Sequence, residues 1–190
     1  MKEYIEKTIT YVKGSSKTDE ELYKTIFAEI KQINTDPLNK AFVCGKIADK
    51  FAKTSKKVFT KKLFNATISF IEEAETRNDP WINLNKGILN EKAERLSTAK
   101  DIYSKCLQTE VAKKEVFFKT LLKAVIERVN AKIAIHEGFV LKGAENYQKS
   151  AILFKELAEM EKSKEMKKKW KSGEIEMNEL AQKYLINHSL

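Results

Sequence analysis

The chain has 190 residues, of which 42% are apolar and 33% charged; the length suits one helical domain or a short repeat array, and the apolar share supports a packed core rather than wholesale disorder. Only 6 Gly and 2 Pro are present, with no Asn-Gly, Asp-Gly or Gly-Gly pair, so hairpin-rich β folds lose their turn chemistry, and 2 His with 2 Cys do not build a zinc site of the usual spacing. The 36 basic and 27 acidic side chains leave a net charge of +9 and a pI near 9.3, which favours anionic partners; Arg77, Arg95 and Arg128 are widely spread, and this scarcity of Arg argues against base-specific reading of nucleic acid.

The apolar period is helical almost throughout. Tyr4, Ile5, Ile9 and Val12 line a first helix that Gly14-Ser15-Ser16 ends. Thr18-Asp19-Glu20-Glu21 reads as a capping box, because the Thr oxygen can accept from the Glu21 N–H while the Glu21 carboxylate reaches back. Leu22, Ile26, Ile30 and Ile33 form the second stripe. Asp36-Pro37 opens a third helix, with Asp capping the free N–H groups and Pro in the first turn, where its missing N–H costs nothing. Val43, Ile47 and Phe51 are its inward side, Thr54-Ser55 breaks it, and Val58, Leu63, Phe64, Ile68 and Ile71 continue in a fourth helix.

Asp79-Pro80 repeats the start signal ahead of Trp81, Leu84, Ile88 and Leu89, and Ser97-Thr98 caps a helix with Ile102, Tyr103 and Leu107 inward. Thr109-Glu110 starts the longest apolar pattern, running from Phe117 to Val140 without a breaker before Gly138, which predicts a helix of about 30 residues spanning about 45 Å. Asn146-Tyr147 opens its partner, through Ile152, Leu153, Phe154, Leu157 and Met160. The tract 162–171 is basic, Ser172-Gly173 interrupts it, and Glu174, Glu176 and Glu179 suit the first turns of a terminal helix over 174–187 carrying Ile175, Leu180, Tyr184 and Leu185. The reading is a single all-α domain over 1–190, with about nine helices and no strand.

Three helical pairs carry a small residue on each partner, 12 residues apart: Ala48 and Thr60, Gly87 and Ala99, Gly138 and Ser150. An aromatic follows the second small residue each time, as Phe64, Tyr103 and Phe154, and Phe51 follows the first in the leading pair. With Ile47-Ala48, Phe51-Ala52-Lys53, Leu63-Phe64, Ile68 and Asp79-Pro80, this resembles tetratricopeptide-like helical repeats over about half the chain. The resemblance implies stacked antiparallel helical hairpins, an α-solenoid whose first helices line an inner groove. The steps between pairs, 39 and 51 residues, exceed the period of about 34 expected of such repeats, and an irregular helical bundle accounts for the same stripes.

In that register Lys53, Lys92 and Lys142 line the groove beside Phe42, Trp81, Ile135 and Phe139, a surface suited to an acidic peptide or protein segment. Lys162–Lys171 places Met166 and Trp170 at i, i+4 among six lysines, which suits a salt-sensitive nucleic-acid or membrane-surface contact, or a solvated helix whose Trp docks inward. Catalytic signals are weak. His136-Glu137-Gly138 lacks the second His of a zinc protease helix, His188 stands near the chain end, Glu72, Glu73 and Glu75 lack a completing His, and no Gly-x-Ser-x-Gly elbow occurs. Met1-Lys2-Glu3-Tyr4 does not read as a signal peptide, no stretch approaches a membrane span, and Cys44 and Cys106 fall on apolar stripes as reduced core residues. The expectation is a non-catalytic cytoplasmic interaction module with no metal and no cofactor, the alternative being a nucleic-acid-associated protein using its Lys-rich surface.

Overall fold

A computed structural model describes residues 1–74 and 79–186. Within them the fold is all-α, with ten helices and no strand. The chain, read above as one domain, divides into two compact units, Met1–Arg95 and Leu96–Leu190, each treated by itself below.

The first unit contains α1 (Lys2–Gly14), α2 (Asp19–Gln32), α3 (Pro37–Phe51), α4 (Lys57–Glu73) and α5 (Pro80–Lys92). Local chemistry sets its boundaries. Thr18 accepts from the Glu21 N–H at 3.3 Å and donates its own N–H to the Glu21 carboxylate at 2.9 Å, completing the capping box of α2. Asp36 and Asp79 cap α3 and α5 with Pro in the first turn. The start of α4 has no cap from its own N-cap residue; Asp19 of α2 supplies one, accepting from the Val58 and Phe59 N–H groups at 3.1 and 3.2 Å. A short turn folds α4 back on α3, and α4 packs also on α2 and α5 while α1 packs on α3. The core is Leu22, Ile26, Ile30, Val43, Ile47, Phe59, Leu63 and Phe64, with Phe51 meeting Phe59 edge-on at 5.8 Å. Each of these large side chains contributes about 1.5–3 kcal/mol by leaving water. Val58, expected inward, is exposed, because the buried stripe of α4 starts from Phe59 and Thr60 and leaves Val58 on the opposite side of the first turn.

The second unit contains α6 (Leu96–Leu107), α7 (Glu110–Lys114), α8 (Val116–His136), α9 (Val140–Met160) and α10 (Lys164–Ile186). Here the boundaries differ from expectation, first at α6, which starts at Leu96, so that Ser97 and Thr98 stand inside its first turn instead of capping it. The long apolar pattern is broken: α7 ends at Lys114, α8 runs only to His136, and Gly138 at φ +87° turns the chain. Phe139 is thus the exposed N-cap of α9, which begins six residues before the expected Asn146. Apolar periodicity carried across the turn because both helices bury apolar faces, and only the left-handed Gly marks the join.

Gly138 therefore does not belong to a helix paired with that of Ser150. Ser150 lies on α9, and Gly138 stands in the turn just ahead of that same helix, so the third repeat-like pair dissolves. Ser150 does serve a close approach, since its hydroxyl donates to the Ala124 carbonyl of α8 at 2.9 Å in a buried setting. The Ser172-Gly173 break is absent as well. Helix α10 starts at Lys164, ten residues before the expected 174, and position 187 falls outside the described residues. Gly173 is kept by packing, for a Cβ there would stand 3.3 Å from the Phe154 ring. Ile152 and Ile175, expected on packed stripes, are exposed.

Candidate functional site

Helix α3 has one buried side and one open side. Val43, Cys44, Ile47, Ala48 and Phe51 face the core, leaving Leu38, Phe42, Lys46 and Asp49 along the opposite stripe at helical spacing. Two concavities flank that stripe. One, of about 380 Å³, opens between α3 and α5 with Thr67 and Ile71 of α4 as its floor; Leu38, Phe42, Gly45, Lys46 and Asp49 form one wall and Ile82, Asn85, Ile88, Leu89 and Lys92 the other. The second, of about 510 Å³, lies between α1 and α3, with Ile5 and Ile9 opposite Phe42 and Lys2, Glu6, Lys46, Asp49 and Lys50 around it. Phe42, Lys46 and Asp49 belong to both, so the two form one surface across α3.

Two of its cations, Lys46 and Lys92, are held in place. The Lys46 ammonium sits over the Phe42 ring, 5.4 Å from the centroid. That of Lys92 pairs with the Asp49 carboxylate and lies 5.3 Å from the Phe64 ring centroid. Lys2, Lys46, Lys50 and Lys92 face only Glu6 and Asp49 among the lining carboxylates, so the rim is cationic over an apolar floor. At Gly45, in the wall, there is room for a side chain: a Cβ would make only ordinary contact with Thr67 of the floor, at 3.6 Å. Behind the groove, burial pushes the Cys44 thiol up to about 12, which leaves it unreactive as a nucleophile. Burial likewise raises the Cys106 thiol. Tyr4 is raised to about 12 by burial, and its hydroxyl donates to Glu29 at 3.1 Å.

Of the residues expected at a groove, Phe42 and Lys92 come together here. Trp81 is exposed in the first turn of α5 and Lys53 lies in the turn after α3, and neither lines the two concavities. Ile135, Phe139 and Lys142 belong to the second unit. Ile135 packs on Gly143 within the α8–α9 contact rather than facing a groove, Phe139 caps α9, and Lys142 is exposed in the first turn of α9. Sequence reasoning missed Gly45, Lys46 and Asp49. The signal was present in the stripe Leu38, Phe42, Lys46, Asp49 opposite the apolar stripe of the same helix, but the Asp49–Lys92 pair joins residues 43 apart and has no local signature.

Elsewhere, His136 ends α8 in an exposed position, and no group of three or more His, Cys, Asp or Glu able to hold a metal occurs among the described residues. Glu72 pairs with Lys86 at 3.7 Å; Glu75, Arg77 and His188 lie outside the described residues. No described helix is long and apolar enough to cross a membrane. Comparison with protein-family models, with curated proteins and with solved structures finds no match to the chain.

Proposed function

We propose that the protein is a non-catalytic protein-interaction module of the cytoplasm that works without metal or cofactor, and that its first unit binds an acidic, amphipathic peptide segment across α3. One observation carries this reading: two apolar concavities share a wall of Phe42, Lys46 and Asp49, under a rim richer in lysine than in carboxylate. Apolar anchors would fill the floor, and flanking carboxylates would meet Lys46, Lys50 and Lys92. Tetratricopeptide-like stacking is supported in this unit alone, where Ala48 and Phe51 on α3 and Thr60 and Phe64 on α4 are all buried.

The geometry of packed helices sets the ligand's spacing. Grooves on either side of one helix are about 8–10 Å apart. A polyproline-type segment advancing about 3.1 Å per residue places same-side anchors at i and i+3, and an α-helix at about 1.5 Å per residue places them at i and i+7. The test uses two fluorescent 16-residue peptides with Leu or Phe anchors at those spacings, each made with Glu or with Lys flanks. Fluorescence anisotropy should show binding of a Glu-flanked peptide, a loss of roughly tenfold or more on Gly45→Trp, which fills the floor, and a similar loss on Phe42→Glu. Equal binding by Gly45→Trp, or preference for the Lys-flanked peptides, contradicts the reading.

A further inference from the structure

We propose that the N-terminal half of α10 is a second, independent binding surface, one that contacts the phosphate backbone of duplex nucleic acid without reading its sequence. Five lysines of the first unit pair with carboxylates distant in sequence: Lys56 with Asp19, Lys61 with Glu94, Lys62 with Glu20, Lys86 with Glu72 and Lys92 with Asp49. On α10 only Lys169 has a carboxylate partner, Glu165 at 4.0 Å, among the described residues, and Lys164, Lys167, Lys168 and Lys171 have none. At about 100° per residue, Lys164, Lys168 and Lys171 share an arc of about 60°, with Lys167 about 40° outside it. They span about 10.5 Å of helix axis, against a duplex that carries one phosphate per about 1.7 Å.

This stripe belongs to a packed helix rather than to a loose tail. Trp170 stacks on Phe154 at 6.2 Å and meets Phe117 edge-on at 5.8 Å, Met177 is buried, and Tyr184 stacks on Tyr147 at 6.2 Å. The same docking selects the ligand. The aromatic side of α10 is turned against its own unit, which leaves only the exposed Ile175 and Ile186, well apart along the helix, in place of a continuous apolar face to enter a lipid headgroup layer. Trp170 is occupied by two rings and cannot serve as a platform for unpaired bases. Tract 162–171 contains no Arg to reach a base edge in two-pronged fashion. Lysines alone on a rigid helix suit a regular array of phosphates. Helix energetics do not explain them, since isolated helices favour acids early and bases late, and α10 has its lysines ahead of Glu174, Glu176 and Glu179.

The experiment is anisotropy of a labelled 20-base-pair DNA duplex with the full chain, repeated from about 50 to 200 mM salt. Four phosphates neutralised give a slope of log K against log salt near −3.6, a loss of roughly 150-fold over that range. The variant Lys164→Gln, Lys168→Gln, Lys171→Gln should bring the slope to about −0.9 and cut affinity at low salt by tenfold or more. Exposed Lys13, Lys24 and Lys57 changed to Gln are the control and should alter affinity less than twofold, with helicity of all variants checked by circular dichroism. Equal losses in both variants, an unchanged slope, or binding to phosphatidylserine vesicles in place of the duplex would overturn the proposal.

Discussion

In the first unit Gly45 borders an open groove, and a Cβ there would meet nothing closer than Thr67 at 3.6 Å. In the second, a Cβ on Gly143 would fall 2.4 Å from Ile135 Cγ1 and 3.1 Å from the Ala131 carbonyl oxygen, and one on Gly173 would crowd Phe154. The same residue borders open space in one unit and permits close packing in the other. The difference extends to the charges. The first unit ties Lys62 and Lys92 to carboxylates of other helices, beside concave surfaces that keep apolar atoms accessible. In the second, long helices close on one another through small residues, and Lys164, Lys167, Lys168 and Lys171 of α10 stand without a carboxylate partner among the described residues. A groove and a cationic face ask for different partners: an amphipathic acidic segment for the first, a polyanion for the second.

The strongest way to break the comparison is Gly143→Leu. If α8 and α9 close through that glycine, overpacking should cost about 3 kcal/mol, read from chemical denaturation, and a neutral result would mean that the helices have room to part. Trp170→Ala should cost about 2 kcal/mol by removing the ring that docks α10 on Phe117 and Phe154. Gly138 sharpens the contrast. Overpacking predicted from a helical register would cost about 1–3 kcal/mol, but no atom lies within 4 Å of a Cβ there, and the backbone is at φ +87°. Gly138→Ala should therefore cost about 1 kcal/mol through backbone strain alone, with Leu no worse than Ala. Gly45→Ala should go the other way, stabilising the protein by about 0.5–1 kcal/mol, because its backbone is helical and its side has space.

What the sequence told depended on how local the cause was. Thr18, Asp36, Asp79 and Thr109 announced their helices because a cap is made by residues two or three apart. Gly173 misled because a glycine signals a break locally, while the reason for it, the Phe154 ring, is brought there by a different helix. Gly138 misled in the opposite sense, since apolar periodicity ran through a turn that only the sign of φ reveals. At the candidate site Phe42 and Lys92 were legible as an exposed aromatic and a lysine at matching register. Asp49 was not, because its role comes from a pairing with a lysine 43 residues away on another helix, whereas Lys46 stands i, i+4 from Phe42, a local signal hidden among many lysines.

The smallest effect lies in the capping box of the first unit. The Thr18 backbone N–H, and next its hydroxyl, hold the Glu21 carboxyl below the usual glutamate range. A depressed pKa in the folded state gives a contribution that is present in full above the ordinary range and is lost as pH falls through the lowered value. In Thr18→Ala the hydroxyl contribution goes, so a carbon-detected titration should find the Glu21 pKa moved up toward the ordinary value. A Glu21 pKa that does not move would show that the hydroxyl plays no part.

The central claim is that α3 presents a peptide-binding surface, and amide chemical-shift mapping tests it most directly. On adding the Glu-flanked peptide to the full chain, shifts should concentrate on Phe42, Gly45, Lys46 and Asp49, extend to Ile82–Lys92 and Ile5–Ile9, and vanish in Gly45→Trp. Shifts centred on residues 96–186, or shifts that persist in Gly45→Trp, would contradict it.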